Sequence, residues 1–325
     1  MIAVTGATGF VGSHLVRKLV ARGYSVRILK RKNSKTQLIE GLTVESVIGD
    51  VTDRGSVFEA VKGCEAVFHV AGHVSFWRGS RERQNQINVQ GTRNVVEACL
   101  DSKISRLVHT SSVAAIGYEP QGKLGNEETP YNWWPYRVNY CNSKYFAEQE
   151  VLQGIRQGLD AVMVNPAVIF GTGDANPNAG AMVIQIVRGK LPGYMDGGCC
   201  VCDVEDVAEG HILAFLKGKK GERYILGGEN YSWKDLFRLM AETLHVQPPR
   251  WKVPSWLFST VGYGADVLSR FTHKEPKLTP DAARISVIPA YYSSEKSIRE
   301  LEYATTPFRE TVLKTHEWYV NHGYL

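Results

Sequence analysis

The sequence lacks the features of several specialised classes of protein. Six cysteines in 325 residues are too few for a disulfide scaffold, and their spacing does not match that of paired zinc ligands. No stretch approaches the roughly 20 consecutive apolar residues of a membrane span, and no secretory signal precedes the first apolar run. We therefore predict a cytoplasmic protein with reduced thiols, no integral membrane segment and no bound metal.

An excess of charge of one sign is also missing. The 38 Lys and Arg residues against 33 Asp and Glu residues leave a formal net charge of +5, which is spread along the chain. Such a balance is too weak to predict a nucleic acid as partner, and it suits a small anionic ligand or no charged partner at all. With 43% hydrophobic and 22% charged residues, the composition is that of an ordinary globular protein, and we predict a small-molecule substrate.

Strand-like and helix-like patterns alternate through the first half of the chain. The predicted strands are Ile2–Thr5, Ser25–Leu29, Thr43–Ile48, Ala66–Val70, Leu107–Thr110 and Ala161–Val164. The predicted helices between them are Phe10–Arg22, Arg54–Lys62, Asn85–Asp101 and Tyr140–Gln157. This alternation predicts an α/β fold, a Rossmann-type, doubly wound parallel sheet with right-handed crossovers.

The pattern changes after Pro166, and we predict a first domain over residues 1–165 and a smaller region over residues 166–325. The second region is expected to be mainly helical and interleaved, with segments that return to the first domain. Its predicted helices are Val204–Lys217, Ser232–Leu244, Ser255–Arg270 and Arg309–Asn321. Its three clustered cysteines are interpreted as buried thiols. The amphipathic segment Trp256–Phe271 is typical of a core or homodimer face, with a membrane-surface role as the alternative.

The strongest local pattern is Thr5-Gly6-Ala7-Thr8-Gly9-Phe10-Val11-Gly12, between a predicted strand and a predicted helix. Backbone N–H groups at a helix N-terminus, clear of side chains, bind the pyrophosphate of a dinucleotide. Gly6 and Gly9 permit the tight turn, and Gly12 allows the helix to pack on the strand. The spacing differs from the general G-x-G-x-x-G pattern, so a plain turn into a buried helix is the alternative.

Basic residues stand where many dinucleotide-binding folds have an acid, about 20 residues beyond the glycine turn. At this place the chain has Lys30, Arg31 and Lys32. A carboxylate would bind the ribose diol and repel a 2′-phosphate, whereas a guanidinium pairs with the phosphate in a bidentate fork. The pattern favours NADP over NAD, and its alternative is a solvated basic loop.

A second pattern indicates proton transfer. Tyr140 and Lys144 are four residues apart in a predicted helix, so the phenol and the ammonium share one helix face. A free tyrosine has a pKa of about 10, and we expect the ammonium to lower the pKa of Tyr140 so that it exchanges a proton near neutral pH. Ser112, at a predicted strand end, can hold the same substrate oxygen. A second such pair, Tyr292 and Lys296, lies outside the strand–helix half and is interpreted as incidental.

In these segments and their order, the chain resembles the extended short-chain dehydrogenase/reductases over nearly its whole length. It is most similar to their dihydroflavonol-reductase-like branch, which includes hopanoid-associated epimerase-like and 3β-hydroxysteroid-dehydrogenase-like proteins. The matching segments are Val4–Gly12, Gly49-Asp50, Phe68–Ala71, Asn88–Thr92, Thr110–Ser112, Tyr140–Lys144, Asn165-Pro166, Asp203–Ala208, Gly221–Asn230 and Tyr291–Lys296. The resemblance implies an NADP(H)-dependent oxidoreductase that moves a hydride at a carbonyl or secondary alcohol. An NAD(P)-retaining sugar (nucleotide) epimerase or dehydratase is the alternative.

The resemblance also implies roles for individual residues. Ser112, Tyr140 and Lys144 would be catalytic, and Asn88 would support the strand-end backbone or a proton-relay water. The pyrophosphate would meet Gly6, Thr8, Gly9, Phe10, Val11 and Gly12, and the 2′-phosphate would meet Arg31 and Lys32. The rest of the dinucleotide would meet Asp50, Val51, Val70, Ala71, Gly72, Thr110, Tyr140, Lys144, Asn165, Pro166 and Val168.

Two choices stay open at this point. Ser111 and Ser112 are adjacent, and the register of the family favours Ser112. The aromatic segment Tyr118–Pro135, with Trp133 and Trp134, either walls an apolar substrate or packs on the surface.

Overall fold

Parallel strands with few polar side chains form the larger of two sheets. The structure is a computed structural model that describes residues 1–272, 275–276 and 278–325. In this part of the chain the strands are β1 (Ile2–Thr5), β2 (Val26–Lys30), β3 (Glu45–Ile48), β4 (Ala66–His69), β5 (Arg106–Thr110), β6 (Leu124–Gly125), β7 (Ala161–Pro166), β8 (Val168–Phe170), β9 (Gly198–Asp203), β10 (Arg223–Leu226), β11 (Glu229–Ser232) and β12 (Pro289–Tyr292). The strands β1, β4 and β7 are buried along their whole length, because helices cover both faces of the sheet.

The strand order of the larger sheet places a crevice at one edge. The order is β10-β7-β5-β4-β1-β2-β3, and every pairing along it is parallel. From β1 the chain fills β2 and β3 on one side, and it later fills β4, β5 and β7 on the other. The loops after β1 and β4 therefore diverge at the carboxyl edge, where ligands bind in such sheets. The predicted Rossmann-type, doubly wound parallel sheet is confirmed.

Amphipathic helices cover this sheet and build the second region. In the described part of the chain they are α1 (Phe10–Ala21), α2 (Arg54–Val61), α3 (Arg81–Asn85), α4 (Gly91–Asp101), α5 (Asn139–Arg156), α6 (Ala181–Val187), α7 (Val204–Lys217), α8 (Trp233–Thr243), α9 (Ser255–Thr272), α10 (Pro280–Ser286), α11 (Glu295–Leu301) and α12 (Phe308–Asn321). Leu15 of α1 and Ile212 of α7 belong to the apolar core on one face. Val57 of α2 and Val151 of α5 belong to the core on the other face. Within the residues described, none of these helices combines the length and apolarity needed to cross a bilayer.

The chain after residue 166 adds strands to both sheets. β10 pairs with β7 and extends the larger sheet, while β9 pairs with β8, β11 and β12 in a smaller sheet that β6 also joins. The sequence analysis missed this smaller sheet because its strands are short and β9 reads Gly-Cys-Cys-Val-Cys-Asp, without alternation of apolar and polar residues. The prediction that Cys199, Cys200 and Cys202 are buried thiols is confirmed.

One predicted helix, Asn85–Asp101, is interrupted in the structure. α3 ends at Asn85, a π-helical turn spans Gln86–Gln90, and α4 begins at Gly91. A π turn carries an extra residue, which shifts the side chains that follow it around the helix axis, and such turns are frequent at functional sites. The turn contains Asn88, which is buried.

Candidate active site

The glycine turn after β1 leaves the N-terminus of α1 accessible. Gly6 has a φ of +71°, and a Cβ built at this position would lie 2.5 Å from the backbone nitrogen of Ala71. A Cβ at Gly12 would lie 2.1 Å from the carbonyl oxygen of Gly6. Gly9 caps α1, whose first N–H groups, from Phe10 on, have no acceptor within the helix. A backbone cradle at the positive end of a helix fits the pyrophosphate of a dinucleotide.

Five other residues of the predicted cofactor set lie around the same edge. Thr8 and Val11 belong to the glycine turn and the first turn of α1, and both are half-buried. Val70 directly follows β4, Pro166 ends β7 and Val168 begins β8. All five residues therefore lie at strand ends or in turns along the carboxyl edge of the sheet.

The basic segment lies where β2 ends. Arg31 and Lys32 are exposed, and the N–H of Arg31 donates to Ser34 Oγ at 3.1 Å, which shapes the turn that follows. Burial is the main reason that the pKa of His73 is lowered, and the charges of Arg83 and Arg31 lower it further. His73 belongs to the loop after β4, so the charge of the Arg31 guanidinium acts on this loop as well as at the end of β2.

Asp50 and Val51 fix the backbone at the end of β3. The Asp50 carboxylate accepts hydrogen bonds from the N–H of Thr52 at 3.0 Å and from its hydroxyl at 2.9 Å. Val51 is buried, and its carbonyl oxygen accepts from Asn94 Nδ2 at 2.8 Å. These contacts fix two residues that were predicted to meet the dinucleotide.

The segment after β4 is tied to β1 and passes beside the lysine of α5. The N–H of Ala71 donates to Thr5 Oγ1 at 3.2 Å, and Thr5 Oγ1 also shares a hydrogen bond of 2.7 Å with Nδ1 of the buried His69. A Cβ at Gly72 would lie 3.3 Å from Lys144 Nζ. Gly72, a predicted cofactor residue, and the predicted catalytic lysine are therefore neighbours.

The hydroxyl of Ser112 and the phenol of Tyr140 meet at the end of β5. Ser112 Oγ accepts from the N–H of Ala114 at 3.1 Å, and a hydrogen bond with Ser112 lowers the pKa of Tyr140. Ser111 is buried and lies beside the carboxylate of Glu148 instead. The geometry therefore favours Ser112 over Ser111 as the partner of the phenol.

The protonation state of Tyr140 differs from the expectation. We predicted that the Lys144 ammonium lowers its pKa, but burial of the phenol raises the pKa to about 12 despite the hydrogen bond with Ser112. The predicted direction is wrong for this structure, because removing the phenolate from water costs more than the hydrogen bond contributes. Tyr140 is therefore a neutral phenol, a proton donor, at neutral pH.

Lys144 is held in a buried pocket on the same helix. Its Nζ donates to the carbonyl oxygen of Thr110 at 2.9 Å, and the Thr110 hydroxyl shares a hydrogen bond of 2.7 Å with His211 Nε2. Burial lowers the pKa of Lys144 to about 8, while the charge of Glu148 raises it. The ammonium lies one helical turn from Tyr140, as the spacing predicted.

Asn88 connects the loop after β4 to α5. Its Oδ1 accepts from the N–H of His73 at 2.7 Å, and its Nδ2 donates to the His73 carbonyl at 3.0 Å and to Ser143 Oγ at 2.9 Å. Ser143 in turn donates to the carbonyl oxygen of Tyr140 at 2.8 Å. Asn88 therefore supports the backbone of the loop after β4, and its predicted role at the site stays a prediction.

Sequence reasoning missed Glu148, which lies behind the lysine. Glu148 is buried, with Oε1 accepting from Asn165 Nδ2 at 2.6 Å and Oε2 accepting from Arg223 at 3.2 Å. Asn165, predicted as a cofactor residue, also donates to the carbonyl oxygen of Ser112 at 3.0 Å. The spacing of Tyr140, Lys144 and Glu148, four residues each, was the signal available in the sequence.

Buried histidines beneath the site predict a steep loss of stability in acid. Burial and the Lys144 charge lower the pKa of His69 to about 3, and burial is the main cause that lowers that of His211 to about 4. Below pH 6.5 the unfolded chain therefore binds protons that the folded chain does not, and stability falls as the pH falls. Between pH 6.5 and 5, we expect each of the two to remove about 2 kcal/mol from the free energy of unfolding.

Urea unfolding at several pH values tests this expectation. His211→Gln should make the free energy of unfolding less sensitive to pH over this range, whereas His322→Gln, at an exposed position, should leave the dependence unchanged. An identical pH dependence in the His211 variant and the wild type would contradict the assignment.

Aromatic residues surround the phenol of Tyr140. Phe76 packs against Tyr140 with ring centroids 5.4 Å apart, and both belong to an apolar cluster with Tyr118, Trp133 and Tyr136. The two tryptophans of the predicted aromatic segment differ in their surroundings, and the surface-packing alternative applies to the one at position 134. Trp133 is buried in this cluster, and its neighbour at position 134 is exposed and packs on surface rings of α5.

Known proteins of the same family match this chain. The family model described as the NAD dependent epimerase/dehydratase family matches residues 2–227. A Synechocystis sp. protein provisionally named dihydroflavonol 4-reductase is 36% identical, over 99% of this chain and 95% of the relative. Sterol demethylase protein B of Methylococcus capsulatus is 32% identical, over 98% of each chain.

A solved structure shows the same architecture. The crystal structure of gox2253 has a TM-score of 0.89 and 38% sequence identity, covering 100% of this chain and 99% of that chain. The agreement extends over the smaller sheet and the C-terminal helices as well as the larger sheet.

Proposed function

This chain belongs to the NAD-dependent epimerase/dehydratase family and is an NAD(P)-dependent oxidoreductase, and from this premise we propose that it is an NADP(H)-dependent ketone reductase and alcohol dehydrogenase. One observation carries the proposal. The Ser112 hydroxyl lies close enough to the Tyr140 phenol to lower its pKa at the carboxyl edge of the sheet, with Lys144 one turn along the same helix. This is the group of side chains that proton exchange at a carbonyl oxygen requires.

The proposed reaction needs a proton at the substrate oxygen when a carbonyl becomes an alcohol. When bound, the nicotinamide supplies or takes up the hydride. Tyr140 donates its proton to the substrate oxygen, and Ser112 hydrogen-bonds to the same oxygen. Because burial keeps the phenol neutral at neutral pH, the site is prepared for reduction, and oxidation of the alcohol should be favoured at higher pH.

Lys144 and Asn88 are proposed to have supporting roles, one in binding the cofactor and the other in positioning the site. The Lys144 ammonium lies beside Gly72, where it can donate to the hydroxyls of the nicotinamide ribose. Asn88 holds the backbone of His73 and the side chain of Ser143, so that the loop after β4 and α5 keep their spacing. Asn88 therefore acts as a positioning residue.

An apolar ketone or secondary alcohol is the proposed substrate. The rings of Phe76, Tyr118 and Tyr136 lie in one cluster with Tyr140, and aromatic side chains of this kind bind rings or long hydrocarbon chains through buried apolar area. The two relatives described above carry names of enzymes that act on a dihydroflavonol and a sterol. We propose the same class of polycyclic or aromatic compounds for this chain.

NADPH consumption at 340 nm tests the proposed function. A set of a 3-ketosteroid, a dihydroflavonol and a nucleotide sugar should show turnover of at least one of the first two, with stoichiometric formation of the alcohol. The alternative, an epimerase or dehydratase, would purify with bound dinucleotide and convert the sugar without net use of NADPH. That result would overturn the proposal.

Arg31 is expected to determine the preference for NADPH over NADH. Removing its guanidinium in Arg31→Ala takes away the charge placed for the 2′-phosphate, and charge-assisted hydrogen bonds of this kind contribute about 1.5–3 kcal/mol. We therefore expect the Kd of NADPH to rise roughly 10- to 100-fold, while the Kd of NADH changes little. Fluorescence titration with both dinucleotides measures the two constants.

Arg17→Ala provides a matched control for Arg31. Arg17 is exposed on α1 and donates to the carbonyl oxygen of Leu38, so its removal should affect both dinucleotides equally. An Arg31→Ala variant that weakened NADH as strongly as NADPH would remove the argument for NADP.

A further inference from the structure

Large aromatic side chains are exposed at the start of α9 and in the segment before it. Trp251 is 77% exposed and Trp256 is 70% exposed. Leu257, next to Trp256 in the first turn of α9, and Tyr263, about two turns further along, are also exposed. Several large exposed apolar side chains within one short segment mark a binding face more often than a single exposed residue does.

The charges around these residues have one predominant sign. Residues 253–265 contain no charged side chain, whereas Arg250 and Lys252 flank Trp251 and are exposed. Lys190 is exposed as well, in the loop whose Tyr194 pairs with the backbone of residue 251. The nearby acid Asp196 forms an ion pair of 2.7 Å with Lys252. Of these four charged side chains, three are cations and one is a carboxylate, so the group beside Trp251 carries a net positive charge.

We propose that Trp251, Trp256, Leu257 and Tyr263, with the flanking cations, bind the surface of a phospholipid bilayer that carries anionic headgroups. We name these four residues the tryptophan surface. Indole and phenol rings favour the boundary between headgroups and acyl chains, and Lys and Arg attract anionic lipids to the same plane. The inference rests on the proposed function, since an enzyme whose substrate is apolar and membrane-soluble must take it from a bilayer.

The contacts of α9 connect this surface to the candidate active site. On its inner side, α9 packs on α10, and Ile285 of α10 belongs to the same apolar cluster as Tyr140. Trp77, in the loop after β4, donates to Ser269 of α9 at 3.3 Å. Phe76, the next residue of that loop, packs on the phenol of Tyr140. The outer face of α9 thus lies over the elements that surround the apolar cluster.

A second copy of the chain is the competing occupant of the tryptophan surface. An isologous contact would place the cations of the two copies close together around one small apolar patch, and the anion needed to offset them is supplied by a bilayer. The net positive charge beside Trp251 therefore favours lipid over self-association.

Co-sedimentation with vesicles tests the proposal without any substrate. The wild-type protein should bind vesicles of phosphatidylcholine with 30 mol% phosphatidylglycerol and bind pure phosphatidylcholine vesicles at least several-fold more weakly. The double variant Trp251→Ser/Trp256→Ser should lower the partition coefficient more than tenfold. The control Trp134→Ser removes an exposed tryptophan elsewhere on the surface and should bind as the wild type does.

A variant without the flanking cations, together with sedimentation velocity, distinguishes binding to anionic lipid from self-association. Arg250→Gln/Lys252→Gln should abolish the preference for anionic vesicles and its sensitivity to salt. Failure of the wild type to bind the anionic vesicles would overturn the proposal. So would a wild-type dimer in sedimentation velocity that Trp251→Ser/Trp256→Ser converts to a monomer. Vesicle binding without NADPH-dependent turnover of any ketone would instead contradict the proposed function, while the proposed membrane binding by the tryptophan surface would be retained.

Discussion

Tyr140→Phe should reduce turnover about 100- to 10,000-fold and leave NADPH binding nearly unchanged. The substitution removes one hydroxyl from a half-buried ring and keeps its packing against Phe76. Without that hydroxyl no neighbouring phenol donates a proton to the substrate oxygen, and general acid catalysis contributes about 10²–10⁴-fold. Steady-state NADPH oxidation with a ketone substrate measures the loss, and fluorescence titration measures the Kd of NADPH.

The second Tyr-x-x-x-Lys pair supplies the control for this experiment. Tyr292 is buried in β12, and Lys296 is bound to Glu222 and lies over the ring of Tyr224. Tyr292→Phe should therefore keep most of the turnover. If Tyr140→Phe turned over at the wild-type rate, the proposed catalytic role of the phenol would be wrong.

Gly6→Ala should abolish detectable NADPH binding and destabilise the fold. The new Cβ would lie 2.5 Å from the backbone nitrogen of Ala71, and the residue would keep a φ of +71°. The left-handed conformation costs an alanine about 1 kcal/mol or more. The clash adds to this by pushing β1 and the segment after β4 apart, which opens the pyrophosphate cradle. We expect the Kd of NADPH to rise more than 100-fold, together with a lower midpoint of urea unfolding.

Gly23→Ala separates the two causes, because its backbone conformation is similar and its surroundings are open. Gly23 has a φ of +82°, and no described atom lies within 4 Å of a Cβ built there. This variant should show only the conformational cost, with NADPH affinity unchanged. Equal losses of NADPH affinity in the two variants would contradict the assigned role of the glycine turn.

The parts of the site that could be predicted depend on local geometry. The pattern of Gly6, Gly9 and Gly12 predicts where the backbone turns tightly. The spacing of Tyr140 and Lys144 predicts that their two side chains share one helix face. The larger sheet was predictable for the same reason, because strands buried on both faces are apolar throughout. The assignment of catalytic and cofactor roles to these residues stays a proposal until the variants are measured.

The parts that could not be predicted depend on partners far along the chain. Glu148 contacts Arg223, which is 75 residues away, and Asn88 binds the backbone of a loop 15 residues earlier through a π turn. Trp133 and Trp134 are adjacent, yet one is buried and the other is exposed. Short strands such as β9 carry no periodic pattern that a sequence could show.

The sequence by itself determined which backbone conformations and helix faces exist, because φ angles and four-residue spacings belong to neighbouring residues. The tertiary structure alone decided which groups are removed from water. That decision sets the charge states, since burial raises the pKa of Tyr140 to about 12 and lowers that of Lys144 to about 8. Desolvation depends on every element packed around a group, so no local pattern encodes it.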